Sequence, residues 1–234
     1  MPQTVQVRRS LPVVVLVGIL LTLLVVSGFL PSERGSNDAT PQAAEPERAA
    51  PLRVAIVGDS LSAGRSRFLG NGLDDESWME YADGDGIDFV GGWAKSGATP
   101  TEMADAVRPV GRVDVLVVLA GTNAVRTGHS LAQEASAYER IVATVRPTKV
   151  VISSIPPYRW HAAAALRYNA DLRRFTIEHG WSWADPWVVA RDGDDWAPGF
   201  STDGMHPAGP EQYAALGDSF RRIILETRGL PSAV

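Results

Sequence analysis

Cysteine is absent from all 234 residues, so disulfides, thiolate nucleophiles, thiolate metal sites and a lipid anchor carried on cysteine are excluded together. Lysine is nearly absent: Lys95 and Lys149 stand alone among 22 basic residues. Positive charge is in deficit, with 22 Lys and Arg against 27 Asp and Glu and a net charge of −5. In residues 1–51 the charges cancel, Arg8, Arg9, Arg34 and Arg48 against Glu33, Asp38, Glu45 and Glu47, so the deficit belongs to the remainder. An acidic domain without a basic stripe argues against nucleic acid as a partner. Several nucleotide and metal motifs are missing as well. A phosphate loop needs G-x-x-x-x-G-K-[ST], but Gly58 to Gly64 spans one residue too many and Arg65 stands where lysine belongs. The elbow G-x-S-x-G fails because Ser62 occupies its last position, and no dinucleotide fingerprint is present. "DGDG" at 83–86 and "DGDD" at 192–195 lack the oxygen-ligand spacing of a calcium loop and read as solvated turns. His129, His161 and His179 show no metal-ligand spacing and read as surface or loop residues, so no metal site is expected.

One long hydrophobic run is present. Residues 11–30, "LPVVVLVGILLTLLVVSGFL", carry no charge and follow Arg8 and Arg9, a length that matches the roughly 30 Å hydrocarbon core of a bilayer. The basic pair predicts a cytoplasmic segment 1–10, a transmembrane anchor at 11–30 and an extracytoplasmic remainder. A cleaved signal peptide, with secretion, is the competing reading, because "VSG" at 26–28 offers small residues for cleavage. Residues 31–51 are rich in Pro, Ala, Ser and charge without periodicity and read as a disordered linker. The catalytic candidate is then one domain over 52–234.

From Leu52 onward, short apolar runs alternate with helical patterns, the mark of an α/β domain whose parallel sheet is covered by helices on both faces. Strands are expected at 52–58, 87–91, 113–120, 148–154 and 182–185, the third uniformly apolar as a central strand should be. Helices are expected at 61–68, 100–107, 131–145, 162–179 and 208–227, the fourth stopped by Gly180. Ligands bind such sheets beyond the carboxyl ends of the strands. Three suggestive segments fall there: "GDSL" after the first strand, "KSGAT" (95–99) after the second and "AGTN" (120–123) after the third. A fourth, "DGMHP" (203–207), precedes the last helix.

A serine at this turn either caps the next helix or attacks a substrate. For attack it needs a base, and the base needs an acid to hold its tautomer. His206 and Asp203, three apart on a turn, are placed to supply both, while Gly97 offers an unobstructed backbone N–H and Asn123 a side-chain amide to a developing oxyanion. With these segments in this order, the chain resembles the SGNH (GDSL) hydrolase family over most of residues 52–228. The resemblance implies Ser60 as nucleophile, Asp203 and His206 as its catalytic partners, and an oxyanion hole formed by Ser60 N–H, Gly97 and Asn123. It further implies a flavodoxin-like three-layer α/β/α fold with a five-stranded parallel sheet, and hydrolysis of carboxylic esters without a metal or organic cofactor. The expected partner is an ester substrate, whether lipid, glycan ester or small ester. An acyltransferase or O-deacetylase on cell-envelope glycans and a catalytically idle binding protein are the rival readings. Seven tryptophans lie between residues 78 and 196, mostly core candidates; Trp93, with Tyr158 and Trp160 of "PPYRW", is read as a wall of the substrate pocket.

Overall fold

The structure, a computed structural model, describes residues 49–230, so the apolar segment 11–30, most of the linker and the segment 1–10 lie outside the described residues. Among the described residues no helix is long and apolar enough to cross a membrane.

Five apolar runs form one parallel sheet: β1 (Leu52–Gly58), β2 (Ile87–Ala94), β3 (Val115–Leu119), β4 (Lys149–Ser153) and β5 (Ser182–Ala184), in the order β2-β1-β3-β4-β5. This is the 2-1-3-4-5 order of flavodoxin-like sheets. Side chains alternate across a strand. Val54 and Ile56 of β1 join Val115 and Val117 of β3 on one face, while Ala55, Val57, Leu116 and Val118 point to the other. Both faces are buried, which is why β3 lacks a polar position.

Helices cover the two faces. On the first lie α2 (Trp78–Ala82) and the carboxyl-terminal α7 (Pro210–Glu226), whose Tyr213, Leu216, Phe220 and Ile224 recur at helical spacing. The Trp78 ring stacks on Phe220 with centroids 3.9 Å apart. On the second lie α3 (Pro100–Ala106), α5 (Leu131–Val145) and α6 (Ala162–Glu178), burying Met103, Tyr138, Ile141 and Leu172. Two short helices, α1 (Ser60–Ala63) and α4 (Thr122–Arg126), begin directly beyond β1 and β3.

Several boundaries differ from expectation. The helix expected at 61–68 stops after four residues. The Asp74 carboxylate accepts the N–H groups of Arg65 and Ser66, which a continuing helix would have needed, and fills the space beside Gly64. The second strand runs to Ala94 rather than 91. Its register slips between Val54 and Ala55, which leaves Val90 as an unpaired bulge, and the Gly91–Gly92 pair continues the strand opposite Ala55 and Ile56 rather than ending it. The first strand keeps its expected bounds, the third, fourth and fifth are trimmed by one to three residues, and α2 and α4 are too short to show helical periodicity in the sequence.

Candidate active site

β1 ends on Gly58, where a Cβ would collide with the Ser62 side chain, and the chain turns at once into α1. The cap of α1 is Asp59: its Oδ1 accepts the Leu61 N–H at 3.1 Å. Ser60 is therefore the first helical residue, not the cap, and its hydroxyl is free for another partner. That partner is His206, whose Nε2 lies 2.8 Å from Ser60 Oγ across a sequence separation of 146 residues. The other ring nitrogen, Nδ1, lies 2.7 Å from Asp203 Oδ2. A carboxylate accepts, so Nδ1 carries the hydrogen and Nε2 is left to accept from the serine.

The Asp203 carboxylate is held by its own turn. Oδ1 accepts the N–H groups of Met205 and His206, each at 2.8 Å. Partial burial opposes its charge, but the hydrogen bonds from the His206 ring and from these two N–H groups prevail and keep Asp203 below the ordinary carboxylate range. Trp160 braces this turn from outside, its Nε1 donating to the Asp203 carbonyl at 3.0 Å.

Gly97 sits in the loop after β2 with φ of +83°, a conformation that disfavours side chains, and nothing lies within 4 Å of where a Cβ would be. The backbone N–H groups of Ser60 and Gly97 find no acceptor among the described residues. Asn123, in the first turn of α4, is buried, and both of its amide hydrogens are engaged: one with Ala98 O at 3.1 Å, the other over 3.3 Å with Asp59 Oδ2. Its Oδ1 accepts from Arg126 Nε at 3.1 Å. The structure thus gathers Ser60, Asp203, His206, Gly97 and Asn123 at the carboxyl-terminal rim, around the β1/β3 switch point of the sheet.

The expected pocket wall is only partly of one kind. Trp93 borders a hollow of about 310 Å³ that includes Gly97. Tyr158 is buried, facing a small hollow beneath the 155–158 loop. Trp160 acts on the Asp203 turn, through its bond to the Asp203 carbonyl.

Three residues that sequence reasoning passed over belong to this constellation. Asp59 is fully buried, and burial pushes its carboxyl up to about 6 against the opposing Leu61 N–H, the His206 charge and the Asn123 amide. Arg126 fixes which way the Asn123 amide points. Glu134, also buried, accepts from Thr101 through Oε2 and contacts His129 Nδ1 at 2.7 Å through Oε1, so His129 is an oriented residue rather than a free loop histidine. Only tertiary contacts reveal the last two.

The family model for GDSL-like lipases and acylhydrolases matches residues 56–210. No curated protein matches the chain significantly. Among solved structures, a G-D-S-L family protein from Desulfitobacterium hafniense shares the fold with a TM-score of 0.61 at 16% identity, covering 74% of this chain and 99% of that one. A carbohydrate esterase family 3 protein from Talaromyces cellulolyticus follows at TM-score 0.56 and 17% identity (75% and 97% covered). A carbohydrate acetylesterase family member from Sinorhizobium meliloti reaches 0.51 at 20% identity (76% and 100% covered).

Proposed function

The chain belongs to the GDSL-like lipase/acylhydrolase family and is an esterase-type hydrolase of it; from that premise we propose that it hydrolyses carboxylic esters through an acyl-enzyme on Ser60. One observation carries the reading: a hydroxyl, an imidazole and a carboxylate in line, at 2.8 and 2.7 Å. Ser60 Oγ attacks the ester carbonyl carbon while its proton passes to His206 Nε2. The negative oxygen of the tetrahedral intermediate is met by the N–H groups of Ser60 and Gly97. Asn123 joins them by turning toward it the hydrogen now spent on the long contact to Asp59. The bond to the alcohol oxygen then breaks, and His206 returns the proton to that oxygen. Water repeats the sequence: His206 takes its proton, hydroxide adds to the acyl carbon, and Ser60 leaves with the proton restored. Acid and alcohol are the products. Asp203, kept ionised, stabilises the imidazolium at both stages.

The apolar run 11–30 and its flanking arginines support the further reading that this activity is tethered to a membrane, with the catalytic domain on the extracytoplasmic side. The test of the chemistry is labelling of the purified protein by a fluorophosphonate, followed by turnover of 4-nitrophenyl acetate. Both are expected in the wild type and neither in Ser60→Ala, with labelling suppressed in His206→Ala. Turnover retained by a folded Ser60→Ala protein would remove Ser60 from the reaction.

A further inference from the structure

Two hollows, of about 590 and 450 Å³, share Arg126, Thr127 and His129 as a common wall. The smaller reaches Gly97, and its charged groups are Glu102, Arg126, His129 and Glu134. Both of its acids accept hydrogen bonds, Glu102 through Oε2 alone. Glu102 accepts from the Thr99 backbone and hydroxyl, and both Glu134 oxygens are committed to Thr101 and His129. The larger extends away from Gly97 to His161, Arg167 and Asp171. There the balance of charge is reversed relative to the acidic molecule around it. Asp171, its one carboxylate, is engaged by Arg174 at 2.6 Å. Arg126 and Arg167 have no carboxylate within ion-pair distance among the described residues. Arg126 makes a single bond, through Nε to Asn123, which leaves the planar end of its guanidinium without a partner. His129, its Nδ1 turned to Glu134, keeps Nε2 for a ligand.

Two unpaired guanidiniums and two imidazoles around a hollow of this size make a receptor for an anion, which arginine binds through a planar fork of donors. Arg126 stands one helical turn from Asn123, and its Nε lies 3.1 Å from Asn123 Oδ1, so an anion gripped by the outer end of this guanidinium sits beside a residue of the oxyanion site. We infer that the preferred substrate is an ester bearing a carboxylate or phosphate group close to its scissile bond, held by Arg126 and Arg167 in this cavity. The inference rests on Ser60 ester hydrolysis and names the substrate class of that same site. It also gives Arg126 a double part, since the residue that grips the anion orients the Asn123 amide.

The anion can reside on the alcohol or on the acyl side, and matched ester pairs separate the two. On the alcohol side, an acetylated methyl glucuronoside is compared with the corresponding glucoside; on the acyl side, the 4-nitrophenyl monoester of glutarate is compared with the valerate. The full chain is expected to show a higher kcat/KM for the anionic member of one pair. That preference should fall roughly tenfold or more in Arg167→Gln, the loss typical of a hydrogen bond to a charged group, fall less in Arg167→Lys, and reverse in Arg167→Glu. Arg126→Gln should lower the preference and also kcat on the neutral esters, because it releases Asn123. Neutral esters turned over with no anionic preference in either pair, or a preference untouched by all the Arg167 variants, would overturn the inference while leaving Ser60 in place. Failure to turn over any ester would overturn both.

Discussion

Asp59 holds an unusual position, a carboxyl with no solvent access next to the nucleophile. Its proton affinity is raised from 3.8 to about 6 because burial penalises its charge more than the Leu61 N–H, the His206 charge and the Asn123 amide favour it. Below about pH 4 the group is protonated in the folded and unfolded chain alike, and its contribution to stability is complete. As pH rises toward about 6 the unfolded chain loses that proton freely while the folded protein keeps it, so stability declines, by roughly 3 kcal/mol for a shift of this size, and then levels. Asp59→Asn removes the titration and sets two amides against each other at Asn123. Urea unfolding at pH 4 and pH 7 should therefore show the variant's deficit shrinking as pH rises. Parallel pH profiles for variant and wild type would contradict this. Asn123→Ala, in turn, should lower kcat by about 10² to 10³, the worth of one oxyanion donor; an unchanged kcat would remove Asn123 from the site. At this scale Ser60, Gly97, Asn123, Asp203 and His206 are legible in the sequence, each lying in a short segment at a strand end or helix start. Arg126 and Glu134 are not, because their meaning lies in partners that folding supplies: the Asn123 amide for one, Thr101 and His129 for the other.

Elements begin and end where side chains compete for the backbone. The Asp74 carboxylate takes the N–H groups of Arg65, Ser66 and Glu76, which ends α1 after one turn. The bulge in β2 acts on the oxyanion loop, since the extra residue Val90 shifts the register that carries the strand on to Ala94, three residues before Gly97. Gly92 has φ of +137°, and a Cβ there would overlap the Ile56 carbonyl in the neighbouring strand. Gly92→Ala should thus cost at least about 2 kcal/mol in urea unfolding. Gly97→Ala, strained at its φ but facing open space, should cost about 1 kcal/mol. The reverse order would show that the strand at Gly92 relaxes more easily than its close backbone contact implies. The glycine pair reads as a strand end in the sequence because strand propensity is local, whereas the pairing that overrides it comes from β1.

For the molecule as a whole, an acidic domain follows an uncharged run of membrane-spanning length, with the Pro- and Ala-rich segment 31–51 between them carrying four acids and two arginines. If that run anchors the chain, the full protein should remain with membranes through carbonate extraction, and its esterase domain should be open to protease from the extracytoplasmic side. A soluble product beginning near residue 29 would favour cleavage instead. The sequence by itself determined the alternation of strands and helices, the parallel sheet and the four loops that carry the chemistry, because burial on two faces and turn residues leave local, periodic marks. Tertiary structure alone decided that Asp59 rather than Ser60 caps the first helix, that Asn123 is held between Asp59, Ala98 and Arg126, and that Arg126 and Arg167, with no carboxylate partner among the described residues, line one hollow. Hydrogen-bond partners and cavities come from residues far apart along the chain, and no local pattern encodes their meeting.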